Sequence, residues 1–109
     1  MYAQDAMAIR KGFSTRSSLI KVIAPIMRAQ LVETALLTII NHQSLIATKT
    51  ERIVHAAKGD GVMEFGLRRA QGADAGTYGA RAAMIAGCIG TSNVLCGKMF
   101  DVPVKGTHA

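Results

Sequence analysis

The period of apolar positions changes several times along this chain, and each change marks an element. Leu19-Ile20-Lys21-Val22-Ile23 is apolar but for one lysine and stops short of Pro25, whose ring disfavours helix in Ala24; it predicts a strand over 19–23. From Ile26 the spacing turns helical, with Val32, Leu36, Ile39 and Ile40 on one stripe. Ala35 to Ile40 is apolar almost all round, which predicts a helix buried on most sides. Asn41-His42-Gln43-Ser44 reads as a polar break with Ser44 as the next cap. A second helix is then expected over about 45–58, with Ile46, Ile53, Val54 and Ala57 inward and Lys49, Glu51 and Arg52 outward, ended by Gly59-Asp60-Gly61. Val62 to Leu67 predicts a strand, Gly72 to Gly76 a loop, Thr77 to Ala86 an alanine-rich helix, and Gly87 to Thr91 a second loop. Ser92 or Asn93 can cap a short helix through Phe100, and Val102 to Thr107 reads as a strand whose pairing is limited near Pro103. Met1 to Ser18 shows no sustained period and reads as irregular or weakly helical. The order of strand, two helices, strand, two helices, strand is α/β.

Arg68 and Arg69 stand where the pattern ends a strand, followed by the glycine-spaced Gly72-Ala73-Asp74-Ala75-Gly76. Guanidinium stays charged and offers fixed donors that match phosphate or carboxylate oxygens bidentately. A solvated pair that caps the strand is the alternative for these two residues. Gly90-Thr91-Ser92-Asn93 could turn amides toward an anion or serve as a plain cap. A lone Thr such as Thr107 is ordinarily just a good strand residue. His42 and His55 have no second ligand at metal spacing and read as packed or solvated imidazoles. Asp60, Glu64, Asp74 and Asp101 form a weak set for Mg²⁺, with Asp74 nearest the arginines. Glu33 sits among apolar neighbours and needs a partner if buried.

Composition narrows the classes. At 109 residues and 50% hydrophobic, the chain can fill one ordinary core, and with five aromatics and no Trp that core is aliphatic. Its strongest apolar run is too short to span a bilayer, and the first residues lack a signal-peptide core. Cys88 and Cys96, without a CxxC, fit reduced thiols in a cytoplasmic protein. The net charge is +6, and Arg10, Lys11, Arg16 and Lys21 against Asp5 place half of it in the first 21 residues. No aromatic-studded basic strand or recognition helix accompanies that charge, so nucleic acid is not the expected partner.

Several separated segments occur in an order that resembles one family. They are Ala29 to Leu37, Leu45 to Lys49, Glu64-Phe65-Gly66-Leu67-Arg68-Arg69-Ala70-Gln71-Gly72, Gly90-Thr91-Ser92-Asn93-Val94-Leu95, and Val104-Lys105-Gly106-Thr107-His108-Ala109. Together they make roughly residues 19–109 similar to nicotinate phosphoribosyltransferase. The resemblance implies a fragment of an irregular (β/α) barrel of the type II phosphoribosyltransferase kind. Residues 19–61 would be a strand and helical bridge from an amino-terminal domain, and 62–109 the first part of the barrel. It assigns Arg68 and Arg69 to the anionic ligands, phosphoribosyl pyrophosphate or the nicotinate carboxylate, and Thr107 to nicotinate contact. Both would lie at the carboxyl ends of strands, where barrel enzymes carry their reacting groups. ATP and Mg²⁺ are implied for the full-length enzyme, which is expected to be cytoplasmic and homo-oligomeric. The family's phosphorylated histidine follows directly after the position of Ala109, so no catalytic or metal residue is expected within the chain. His108 occupies a variable position of the motif and is not assigned a role. Met1 to Ser18 does not resemble the family, and a shifted reading frame is the expected account of it. The isolated chain is expected to be inactive. The competing class is a small basic phosphate- or nucleic-acid-binding module without catalysis, which draws on the charge and on residues 1–18.

Overall fold

A computed structural model describes residues 2–3 and 20–106; Thr107, Leu19 of the first expected strand, and residues 1 and 4–18 of the irregular amino-terminal segment lie outside that range. The chain forms two compact units, which divide between Ser44 and Leu45. In the first, β1 (Tyr2–Ala3) pairs antiparallel with β2 (Ile20–Lys21), Tyr2 opposite Lys21 and Ala3 opposite Ile20. Tyr2 and Ala3 are therefore strand rather than irregular, and of the described part of the strand expected over 19–23, Ile20 and Lys21 are strand while Val22 and Ile23 are not.

Helix α1 (Ile26–Ala56) begins just after Pro25, whose carbonyl accepts from the Ala29 amide at 3.0 Å. It runs for 31 residues without the break expected at Asn41–Ser44. No Gly or Pro occurs between Ile26 and Ala56, so those four polar residues lower helix propensity slightly and interrupt nothing. The helix ends where Lys58 and Gly59 take φ values of 50° and 105°. Its stripe in the second unit is Ala47 and Thr50, buried, followed by the half-buried Val54 and Ala57. Ile53, expected inward, is exposed. The amino-terminal half departs further from expectation: Leu37 and Ile39 are exposed, and Ile26, Met27 and Leu31 show 73%, 76% and 81% of their surface. Residues 35–40 are thus not enclosed by described residues. No described helix is long and apolar enough to cross a membrane.

The second unit is built on parallel strands. β3 (Met63–Glu64) pairs with β4 (Gly90–Thr91), Met63 beside Gly90 and Glu64 beside Thr91. Thr91 also bridges in parallel to Val104 on its other side. The ladder runs through Ile89 N–H to Val62 O at 2.9 Å, Ser92 N–H to Glu64 O at 3.0 Å, Thr91 N–H to Pro103 O at 3.0 Å and Lys105 N–H to Thr91 O at 2.9 Å. Gly90–Thr91 is therefore the central strand of the three, where the sequence predicts a loop. The strand expected over 102–107 is a single bridge at Val104, because Pro103 has no amide to donate and contributes only its carbonyl.

Two helices join these strands in β-α-β order. α2 (Ala73–Ile85) starts four residues earlier than expected, with Gly72 at φ 107° before it. Its buried face is Gly76, Thr77, Gly79, Ala80, Ala82 and Ala83, small side chains that allow close approach to the strands. It closes in a left-handed turn: Gly87, at φ 110°, donates to Met84 O and Cys88 to Ala83 O, each at 3.1 Å. α3 (Val94–Phe100) is capped by Asn93, whose Oδ1 accepts from the Cys96 amide at 2.9 Å. A Cβ on Gly97 would overlap Val104 Cγ2, so α3 lies directly on the third strand position. The unit is α/β, with parallel strands and connecting helices.

The open apolar stripe of α1 has a measurable consequence. The 109-residue chain expressed alone is expected to self-associate, since contiguous exposed apolar area promotes association. Sedimentation over a concentration series should show oligomers that Met27→Lys with Leu31→Glu reduces at unchanged helical content. A monomer at every concentration would contradict the expectation.

Candidate active-site edge

Strand β3 ends at Glu64, and its side chain reaches in two directions. Oε1 accepts from the Gly66 amide at 2.5 Å, and Oε2 accepts from the Thr91 hydroxyl at 2.5 Å. Thr91 Oγ1 in turn accepts from the Asn93 amide at 3.0 Å. One carboxylate therefore ties the end of β3 to the residue that follows it and to the neighbouring strand, which leads into the cap of α3. Short bonds to an ionised acceptor are roughly twice as strong as neutral ones. Asn93 Nδ2 is buried and has no hydrogen-bond partner among the described atoms.

Arg68 and Arg69 lie on the 3-10 turn Leu67–Arg69, beyond Phe65 and Gly66. They are not delivered directly by a strand that runs to Leu67, as the sequence predicts, because β3 stops at Glu64 and Gly66 turns the chain. Arg69 N–H donates to Gly66 O at 2.9 Å and Ala70 N–H to Leu67 O at 3.1 Å. Leu67 rests on α2 at its bare position: a Cβ on Gly76 would lie 2.6 Å from Leu67 Cδ1. The turn is thus held at Gly66 by a carboxylate and at Leu67 by a glycine-floored contact, and both guanidinium-bearing residues remain exposed. They follow the carboxyl end of a parallel strand, the edge where α/β sheets bind ligands. Thr107, outside the described residues, comes three positions after Val104.

Two further groups belong to the same unit. Arg81 of α2 stacks over the Phe100 ring at 5.3 Å, and Tyr78 meets the same ring at 5.9 Å. Cys88 and Cys96 are buried free thiols. Burial pushes both up from the ordinary thiol range and the Glu64 charge adds to the rise, while Arg81 offsets part of it at Cys96.

Other candidates take ordinary roles. Asn93 is a helix cap, so the Gly90–Asn93 segment is built as strand and cap. His42 is half-buried and His55 exposed on α1. Glu33 is half-buried. Among the described residues no group of three His, Cys, Asp or Glu could hold a metal ion, and the Glu64 carboxylate is already taken by two donors. These residues alone do not fit a Mg²⁺ site.

No family model matches this chain. It is 54% identical over 91 residues to nicotinate phosphoribosyltransferase from Bacillus subtilis, an alignment that takes in 84% of this chain and 19% of that protein. The enzymes of the same name from Caenorhabditis elegans and Bos taurus are each 42% identical over 92 residues, with 84% of this chain and 16% and 17% of theirs covered. The crystal structure of human nicotinic acid phosphoribosyltransferase superposes with a TM-score of 0.71 at 41% identity, over 78% of this chain and 17% of that one. The chain is homologous to one segment of nicotinate phosphoribosyltransferase. It spans less than a fifth of the length of these relatives.

The thiols give a test of the local electrostatics. A raised thiol pKa leaves less thiolate at a given pH, so Cys88 and Cys96 should react with iodoacetamide at pH 8 more slowly in the native protein than in urea. The sign for stability follows: the folded state retains protons that the unfolded state gives up above about pH 8.5, so stability falls as pH rises through that range. Glu64→Gln should speed native labelling without reaching the urea rate, because burial is the larger cause. Equal rates in native protein and urea would contradict the burial.

Proposed function

We propose that this chain is the part of a nicotinate phosphoribosyltransferase that presents Arg68 and Arg69 to the anionic groups of its substrates. The observation that carries this reading is the exposed arginine pair on a braced turn after a parallel strand, within a segment 40–54% identical to enzymes of that name. In the parent enzyme residues 19–61 form a bridge and 62–109 open a (β/α) barrel. The parent is cytoplasmic.

The proposed reaction joins nicotinate to phosphoribosyl pyrophosphate. The pyridine nitrogen attacks the anomeric carbon, the bond from that carbon to the pyrophosphate oxygen breaks, and pyrophosphate departs with the bonding pair. Two guanidiniums carried on one braced turn can hold phosphate or carboxylate oxygens in register with that displacement. Thr107 contributes a hydroxyl and a backbone amide to the nicotinate carboxylate. ATP and Mg²⁺ enter by resemblance alone. The histidine that the family phosphorylates lies outside these 109 residues, and the described carboxylates make no metal site. The isolated chain therefore lacks turnover.

The test uses a full-length enzyme in which residues 20–109 stand in place of the matched segment of the Bacillus subtilis relative. Arg68→Ala with Arg69→Ala should raise the KM for phosphoribosyl pyrophosphate at least about tenfold, since a hydrogen bond to a charged group is worth roughly 1.5–3 kcal/mol. Thr107→Val should raise the KM for nicotinate at an unchanged melting temperature, because Val keeps the strand shape and loses only the hydroxyl. Wild-type kinetics in both variants would remove these residues from the site. Salt-sensitive binding of the 109-residue chain to mixed-sequence DNA, lost on deleting residues 1–18, would favour the non-catalytic basic module instead.

A further inference from the structure

The arginine turn has no strand hydrogen bonds of its own beyond Glu64, yet its first residue is held at short range. Gly66 N–H reaches Glu64 Oε1 at 2.5 Å while Oε2 of the same carboxylate takes the Thr91 hydroxyl at 2.5 Å. Thr91 is fully buried and paired on both sides, so it is a fixed point. Gly66 permits the contact: a Cβ there would stand 2.9 Å from Glu64 Oε1. The acid is half-buried, and its charge reaches both buried thiols. It is therefore committed to the protein interior and is not a surface partner for solvent cations.

We propose that Glu64 is a positioning residue: its carboxylate clamps Gly66 to Thr91 and so fixes where Arg68 and Arg69 meet the substrate anion. This rests on the reading that the two arginines bind substrate. A carboxylate suits the role because both oxygens accept, one from each side of the gap. Glutamine offers one acceptor and turns a donor toward the Thr91 oxygen, so the hydroxyl loses its acceptor. Aspartate is one methylene too short to reach both partners.

A double-mutant cycle in the full-length enzyme carrying residues 20–109 separates positioning from folding. Glu64→Gln should raise the KM for phosphoribosyl pyrophosphate about tenfold with kcat little changed, and should add less than about twofold when Arg68→Ala and Arg69→Ala are already present. Thr91→Val should reproduce the KM effect and Thr91→Ser should restore it, which keeps the test open if the Glu64 variant folds poorly. Equal losses in both backgrounds with a lowered melting temperature, or no KM change in Glu64→Gln and Thr91→Val, would overturn the clamp while leaving the arginine site standing. Unchanged kinetics in the double arginine variant would overturn both.

Discussion

Thr91 is the constraint on which the second unit depends. Its backbone pairs with Glu64 on one side and Val104 on the other, and its side chain donates to the Glu64 carboxylate while it accepts from Asn93. The strand it occupies is two residues long, too short to be stable by pairing alone. What holds it is enclosure: α2 brings a face of Gly, Ala and Thr against the strands, and α3 lies close through Gly97. Large side chains on those helices would push them away from so small a sheet. The composition, rich in alanine and glycine with few aromatics, is the physical condition for this geometry.

The same constraint explains how an exposed charge pair can be precise. Long arginine side chains on a free loop would lose much of their binding energy to ordering. Here the backbone beneath them is fixed at Gly66 by the carboxylate and at Leu67 by contact with Gly76. The guanidinium-bearing residues stay exposed to solvent. Rigid support beneath charged tips suits the proposed recognition of a phosphate group.

Much of this was legible in the residues. The Asn93 cap and the helix through Phe100 follow from local chemistry and hold as expected. The α/β class and the place of Arg68 and Arg69 after a strand were also readable, although one continuous α1 stands for the two helices expected before that strand and β4 comes between the two expected after it. The misses share a cause, which is that tertiary packing overrode a local signal. Gly76 reads as a loop residue, yet it lies within α2 as the floor under Leu67. Gly90–Thr91 lacks an apolar run and reads as a loop, yet it is the central strand. Asn41–Ser44 is polar but holds no helix breaker, so α1 continues through it. Glu64 was visible only as one acid among four; a carboxylate two residues before a glycine at a strand end was the signal of its clamp.

The central claim is that a braced turn sets Arg68 and Arg69 on a substrate anion at the carboxyl edge of the sheet. A crystal structure of the full-length enzyme carrying residues 20–109, with phosphoribosyl pyrophosphate bound, reads this directly. The account predicts a guanidinium nitrogen of Arg68 or Arg69 at about 2.7–2.9 Å from a phosphate oxygen, with Gly66 N–H still on Glu64. Ligand bound elsewhere, with both guanidiniums in solvent, would contradict it.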